Sequence, residues 1–421
     1  MYFNKRSLLV PLASLSTTAG VIILLARWIS GNFLLSSPSA LISYGFMAGI
    51  CYTVAIALSF IIIGFFLNRN GYSQSQHKQS FLIMKMQEKL NGMNLKVVQL
   101  FYLLTGIEIW LIQLISINVL STIMLNIPVP ITIAIFLIGM LVLDRFISLK
   151  GILWLDALFI MMLFSLLIFI PIFYFVQNGA STVYEGIRLY HPYLFYFKNS
   201  EILLFYIVIQ LAILGQVLVD KSTWYLIAFV KPKKVRRSLF SSGVILALLT
   251  LSFTAILMIA LYSGSYGEFQ ILLLTFLYEV QPGFLTFAFL MITLFAIITT
   301  LLVEMRATKR FFSTRKPYYY YLIGLMVLLF SLFVSINITI LGVIYTFAFI
   351  HITMLPFMII LLFVNRTIHK LSWLAILLSI AIGIGVGVQF NLLNGLAVSF
   401  TVSCIFQLSL QQANRIPIVD D

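Results

Sequence analysis

Gly151-Ile-Leu-Trp-Leu-Asp156-Ala-Leu-Phe-Ile-Met-Met-Leu-Phe-Ser-Leu-Leu-Ile-Phe-Ile-Pro171-Ile-Phe-Tyr-Phe-Val176 holds a single charged side chain over 26 residues. A run that apolar and that long exceeds the ~20 residues needed to cross a hydrocarbon core. It is not an isolated feature. The whole 421-residue chain is 62% hydrophobic and 9% charged, with a mean hydropathy of +1.10. Soluble domains are roughly 25% charged. So much apolar surface cannot fit into one protein's interior, and its solvent must be lipid. The chain reads as an all-α polytopic membrane protein.

Working outward from 151–176, runs bounded by charge, Pro, Gly or Asn give about twelve transmembrane helices. They lie at 7–29, 40–67, 96–126, 129–146, 151–176, 199–220, 238–263, 282–305, 317–337, 340–364, 372–389 and 391–411. The residues around Asn126-Ile-Pro128 and Ile336-Asn-Ile338 must then be tight turns. The apolar run after Lys5 and Arg6 is too long for a signal peptide and is read as a retained helix.

The net charge of +14 would suggest a nucleic-acid or acidic partner in a soluble protein. Here it records topology instead, and no nucleic acid is expected. Placing the N-terminus in the cytoplasm puts 23 of the 26 Lys and Arg residues inside, leaving Arg27, Arg188 and Lys198 outside. The expected location is the cell membrane, multi-pass, with both termini cytoplasmic.

No connector is long enough for a catalytic domain, so no enzyme activity is expected. Phe81–Leu90 reads as a short amphipathic helix on the membrane surface, and 177–198 as a loop or outer rim. Cys51 and Cys404, both inside apolar runs, read as packing. No His, Cys and carboxylate spacing suggests a metal cluster, and Gly383-Ile-Gly-Val-Gly387 reads as helix packing.

The chain reads as one transmembrane domain, 1–421. Spans one to five (7–176) and six to ten (199–364) form blocks of five crossings, followed by two further helices (372–411). An odd crossing number makes the second block enter upside-down, a 5+5 inverted repeat with its site at the midplane. The first helix of each block should then be interrupted. Span one offers Ser14, Thr17, Thr18 and Gly20 for this, and span six Gln210, Gly215 and Gln216. Such residues also serve close helix packing.

Charges inside a membrane are functional candidates by default. Glu108, in span three, could accept a proton, face a cationic substrate or pair with a polar neighbour; Gln113 could line the same path. Asp156 could hold a cation or pair with Lys150. Asp220, before Lys221, reads as a cap or surface pair, and His351 as a neutral buried imidazole. Thr299 and Thr300 place two hydroxyls side by side, which suits a hard cation, although helical threonines usually bond their own backbone.

Three stretches give the chain a resemblance to the sodium:solute symporter family, which has the leucine-transporter-type inverted repeat. Leu149-Lys-Gly-Ile-Leu-Trp-Leu-Asp156 is similar to the family's G-L-K-A-v-x-W-T-D at the fifth core helix. Asp220-Lys-Ser-Thr-Trp224 with the basic 231–237 resembles the end of the sixth, and Ala296-Ile-Ile-Thr-Thr300 the A-A-x-M-S-[ST] of the eighth. The chain departs from the pattern in lacking the family's extra first helix, and Tyr225-Leu226 stands where a Gln-Arg pair is usual.

The resemblance implies a sodium site made by Thr299, Thr300 and Asp156 with backbone carbonyls near Ser14, Thr17 and Thr18. It also implies a solute cavity between spans one, three, six and ten, where Glu108, Gln113, Gln210, Gly215 and Gln216 would act. The expected function is secondary active symport of a small-molecule solute, coupled to Na+ or H+, with no cofactor beyond a possible Na+. A non-transporting sensor or assembly subunit and a lipid-linked saccharide flippase or polymerase are the alternatives. The sequence names neither the solute nor an oligomeric state.

Overall fold

A computed structural model describes residues 15–29, 40–69, 81–90, 92–124, 129–195, 201–261, 283–311, 340–364 and 367–413. The expected span 317–337, Ser14 and the connector 264–281 lie outside them. The helices are α1 (Thr17–Trp28), α2 (Phe46–Arg69), α3 (Phe81–Lys89), α4 (Gly92–Met124), α5 (Val129–Phe146), α6 (Leu149–Asn178) and α7 (Ala180–Tyr190). After them come α8 (Glu201–Val219), α9 (Lys221–Ile227), α10 (Pro232–Leu261), α11 (Gly283–Phe311), α12 (Ile340–Phe363), α13 (Ser372–Gln389) and α14 (Leu392–Ala413). Among the described residues, nine helices are long and apolar enough to cross a bilayer. Their many Ile, Val and Phe residues are helical because lipid offers backbone groups no other partner. Bulky side chains such as Trp154, Met161 and Phe169 of α6 point outward, where hydrocarbon is the expected neighbour.

The packing repeats under an exchange of halves. Helix α1 packs on α10, and α8 on α2; α6 packs on α1, and α12 on α8; α11 packs on α6, and α4 on α12. Exchanging α1 with α8, α2 with α10, α4 with α11 and α6 with α12 turns the first contact of each pair into the second. That exchange is what two inverted five-helix blocks require. The last two helices form a hairpin on α12. They cross closely because Gly383 and Gly395 meet backbone to backbone: a Cβ on Gly395 would fall 2.6 Å from the Gly383 carbonyl oxygen.

Among the described residues, neither helix is unwound where expected. In the first block, Ser16 caps α1, its Oγ accepting from the Ala19 amide. Leu15 before it is extended: its amide donates to Phe229 O at 3.0 Å, and its carbonyl accepts from Lys231 N at 3.3 Å. The polar stretch is therefore the N-terminal end of α1, and Gly20 lets α1 press against Ser238 of α10. At twelve residues, α1 is ~18 Å long, well short of the ~30 Å hydrocarbon core. It stops at Trp28, just before Ser30-Gly31-Asn32, residues of poor helix propensity. In the second block, α8 runs unbroken through Gln210, Gly215 and Gln216. The break comes at Asp220, an extended residue (φ −74°, ψ 100°) that starts α9.

Two connectors are ordered. The expected helix at Phe81–Leu90 is present as α3, with Phe81, Leu82, Ile83 and Met86 buried against protein. Its Lys89 ammonium donates to Leu361 O (2.9 Å) and Val364 O, closing the carbonyl end of α12. Burial lowers the pKa of that lysine, while the Lys85 hydrogen bond lowers that of Glu88. In the opposite connector, α7 and a 3-10 turn (Pro192–Phe195) bury Val183, Ile187 and Leu194. Gly45 (φ +88°) starts α2 beneath that turn.

Candidate functional site

The broken ends of α1 and α8 meet, and a buried charge cluster joins them. Arg27 Nη2 donates to Asp220 Oδ1 at 2.9 Å. Asp220 also caps α9, accepting from the amides of Ser222 (3.2 Å) and Thr223 (3.1 Å) and from the Thr223 hydroxyl (2.6 Å). Trp28 Nε1 donates to that same hydroxyl at 2.8 Å. Lys221 donates to Tyr102 O of α4 at 3.1 Å and is ion-paired with Glu304 of α11, whose other carboxylate oxygen accepts from Ser222 Oγ. Arg27 lies 3.9 Å from Glu304. None of the four charged side chains is more than 6% exposed. Gly106 of α4 makes room for the pair: a Cβ there would fall 2.5 Å from Lys221 Nζ and 2.8 Å from Glu304 Oε1.

Sequence reasoning missed this cluster. Arg27 is not an outside charge, and Asp220 is a cap that is also a buried ion-pair partner. The signal was available, since Arg27 and Glu304 fall within the expected spans 7–29 and 282–305, where the intramembrane-charge rule applies to them as it does to Glu108.

A second group gathers oxygen atoms. Thr300 Oγ1 donates to Ala26 O of α1 at 3.4 Å, and Thr299 Oγ1 to Ala296 O of its own helix at 3.3 Å. Asp156 of α6 is buried beside the Thr299 hydroxyl. Its Oδ1 has no hydrogen-bond partner among the described residues. Three helices thus bring together a carboxylate, two hydroxyls and the carbonyl at the end of α1. Such all-oxygen sets suit hard cations. Thr17 and Thr18 are not part of it. Thr17 is nine residues before Ala26, ~13 Å along the helix; its carbonyl accepts from Ser238 Oγ, and Thr18 is exposed.

The third group lines two adjoining hollows. Glu108 and Gln113 of α4, Gln216 of α8, His351 of α12, Arg27 and Asp220 surround the polar one. Tyr52, Phe205, Ile209, Ile344 and Tyr345 surround the apolar one. Glu108, Gln216 and His351 border both and form the partition. Each hollow measures about 20 Å³, room for about one water. Glu108 Oε2 stands 3.1 Å from His351 Nε2, close enough for an ion pair but out of line for a hydrogen bond. Gln210 instead donates to Ser59 of α2 at 3.0 Å. Gly215 is a packing residue, since a Cβ there would overlap the His351 carbonyl.

No known protein family's sequence profile and no curated protein matches this chain. Solved structures do match. A Na+-coupled sialic acid symporter, substrate-bound and outward-open, is similar with a TM-score of 0.74 over 98% of this chain and 94% of that one, at 14% identity. The fold is of the leucine-transporter type. Mhp1, a nucleobase-cation-symport-1 family transporter closed on bromovinylhydantoin, gives 0.62 over 99% and 97% at 13% identity. Inward-facing Mhp1 gives 0.55 over 99% and 96% at 14% identity.

Proposed function

We propose that the protein is a secondary active transporter, a remote member of the sodium:solute symporter family, that moves a small solute by alternating access. One observation carries the reading: Asp156, Thr299, Thr300 and the Ala26 carbonyl converge where α1 is interrupted. The neighbours' descriptions as Na+-coupled and cation-symport proteins support it. A sodium ion there would tie the tip of α1 to α6 and α11 and complete the unsatisfied Asp156 oxygen. It would therefore favour the conformation in which these three helices are together. A ligand shifts an equilibrium only by its differential affinity for the two states. Solute and ion are coupled because Arg27 and Trp28, next to the Ala26 carbonyl, line the polar hollow.

Taking Arg27 and Lys221 out as buried pairs leaves 22 basic residues on one side and only Arg188 and Lys198 on the other. That supports a multi-pass protein of the cell membrane with both termini cytoplasmic. In the test, purified protein is unfolded thermally across a series of sodium concentrations at constant ionic strength, with potassium as balance. A saturable, sodium-specific rise in melting temperature is expected in the wild type, and its loss in a Thr299→Ala, Thr300→Ala double variant that otherwise melts cooperatively. An equal rise in potassium, or a rise unchanged in the variant, removes the ion site and favours a non-transporting sensor.

A further inference from the structure

The two hollows also bear on what the solute is. Around them, Arg27 is matched by Asp220, and Lys221 by Glu304. Among the described residues, the ionisable partner of Glu108 is the imidazole of His351. The other titratable groups facing this region are Tyr52 of α2 and Tyr345 of α12. With a neutral imidazole, the lining therefore carries one negative charge that no fixed cation balances. Two acceptors on side chains that line the polar hollow, Glu108 Oε1 and Gln113 Oε1, have no hydrogen-bond partner among the described residues, and both side chains are about 1% exposed. A buried acceptor left unmade costs free energy, more so when it is charged. A ligand that donates to both recovers that cost.

We propose that the solute is a small organic cation, a protonated amine with an apolar body. Its ammonium donates to Glu108 Oε1 and Gln113 Oε1, and its body occupies the hollow lined by Phe205, Ile209, Ile344 and Tyr345. Three neighbouring chemistries fit less well. An anionic solute would add a second negative charge beside Glu108, and the charge of Arg27, whose Nε is unpaired among the described residues, is already matched by Asp220. A transition-metal ion needs several nitrogen, sulfur or carboxylate donors, and no group of three His, Cys, Asp or Glu residues is present among the described residues. A sugar would leave the apolar hollow unfilled. An amine larger than water enters only as the helices part, so the inference rests on the transporter reading. It does not depend on which ion drives transport.

The test uses purified full-length protein and thermal unfolding, with and without sodium. The probes share one phenyl-ethyl body and differ at the head: phenethylamine, 2-phenylethanol and 3-phenylpropanoate, with manganese chloride alongside. The amine is expected to stabilise saturably and to bind about tenfold or more tighter than the alcohol, the difference that one charge-assisted hydrogen bond makes. In Glu108→Gln that preference should shrink to about twofold or less, while alcohol binding and the sodium-induced shift persist. The comparison of heads on the wild type needs no variant, so a misfolded Glu108→Gln does not blunt it. The proposal fails if the alcohol, the carboxylate or manganese binds as well as the amine, if no probe shifts the melting temperature, or if Glu108→Gln keeps the preference. A sodium shift that survives such a failure leaves the transporter reading standing; loss of both takes down the two together.

Discussion

Two buried polar clusters share Arg27 as a neighbour and are built on opposite principles. In the first, Arg27, Asp220, Lys221 and Glu304 form two cations and two anions, with Thr223, Ser222 and the Tyr102 carbonyl completing the carboxylates and the ammonium. In the second, Glu108, Gln113 and His351 come together without completing one another. Burial is the same in both, so burial does not separate architecture from binding. What separates them is the number of hydrogen-bonding atoms left over among the described residues: Arg27 Nε in the first, and Glu108 Oε1, Gln113 Oε1 and His351 Nε2 in the second. The first cluster fixes the ends of α1 and α8 against α4 and α11. The second leaves both acceptors unpaired beside a hollow with room for about one water.

The contrast can be broken most directly at Glu304. Glu304→Ala leaves Lys221 and Ser222 buried without their partner, and removal of one member of a buried ion pair costs about 3–5 kcal/mol. A large drop in melting temperature in detergent is expected; a variant as stable as the wild type would mean that the cluster holds nothing. A smaller effect sharpens the picture at the helix tips. Arg27→Met and Asp220→Asn should each destabilise, and the double variant by less than their sum, with a coupling of about 1–3 kcal/mol in a double-mutant cycle. Additive losses would show that the two helix ends are held independently. The smallest change belongs to the second cluster. Glu108→Gln should shift the unfolding free energy by less than about 1 kcal/mol, since it removes a charge whose interactions are incomplete. A loss as large as that of Glu304→Ala would place Glu108 among the structural charges.

Much of the fold was legible in the chain. Run lengths near the bilayer thickness and the all-helical class follow from composition along the sequence. The helix breaks did not follow. Ser14–Gly20 and Gln210–Gln216 look like unwinding segments because small and polar residues weaken a lipid-facing helix. The same residue types serve equally as an N-cap (Ser16) or as a point of close approach, at Gly20 against Ser238 and Gly215 against His351. Composition cannot choose among these uses, because the choice is made by the neighbouring helix. At the proposed ion site, the hydroxyl pair and Asp156 could be picked out from the chain, but the α1 carbonyl beside them, that of Ala26, lies about two turns beyond Thr18, since its position depends on where α1 ends.

What the sequence determined by itself was its solvent and its helical class, because both are set by the transfer free energy of successive segments between water and lipid. Only the tertiary structure decided which charges are matched. Arg27 and Asp220 stand 193 residues apart, and Lys221 and Glu304 83 apart. An electrostatic partner is a matter of distance in space, and no local property of either residue carries it.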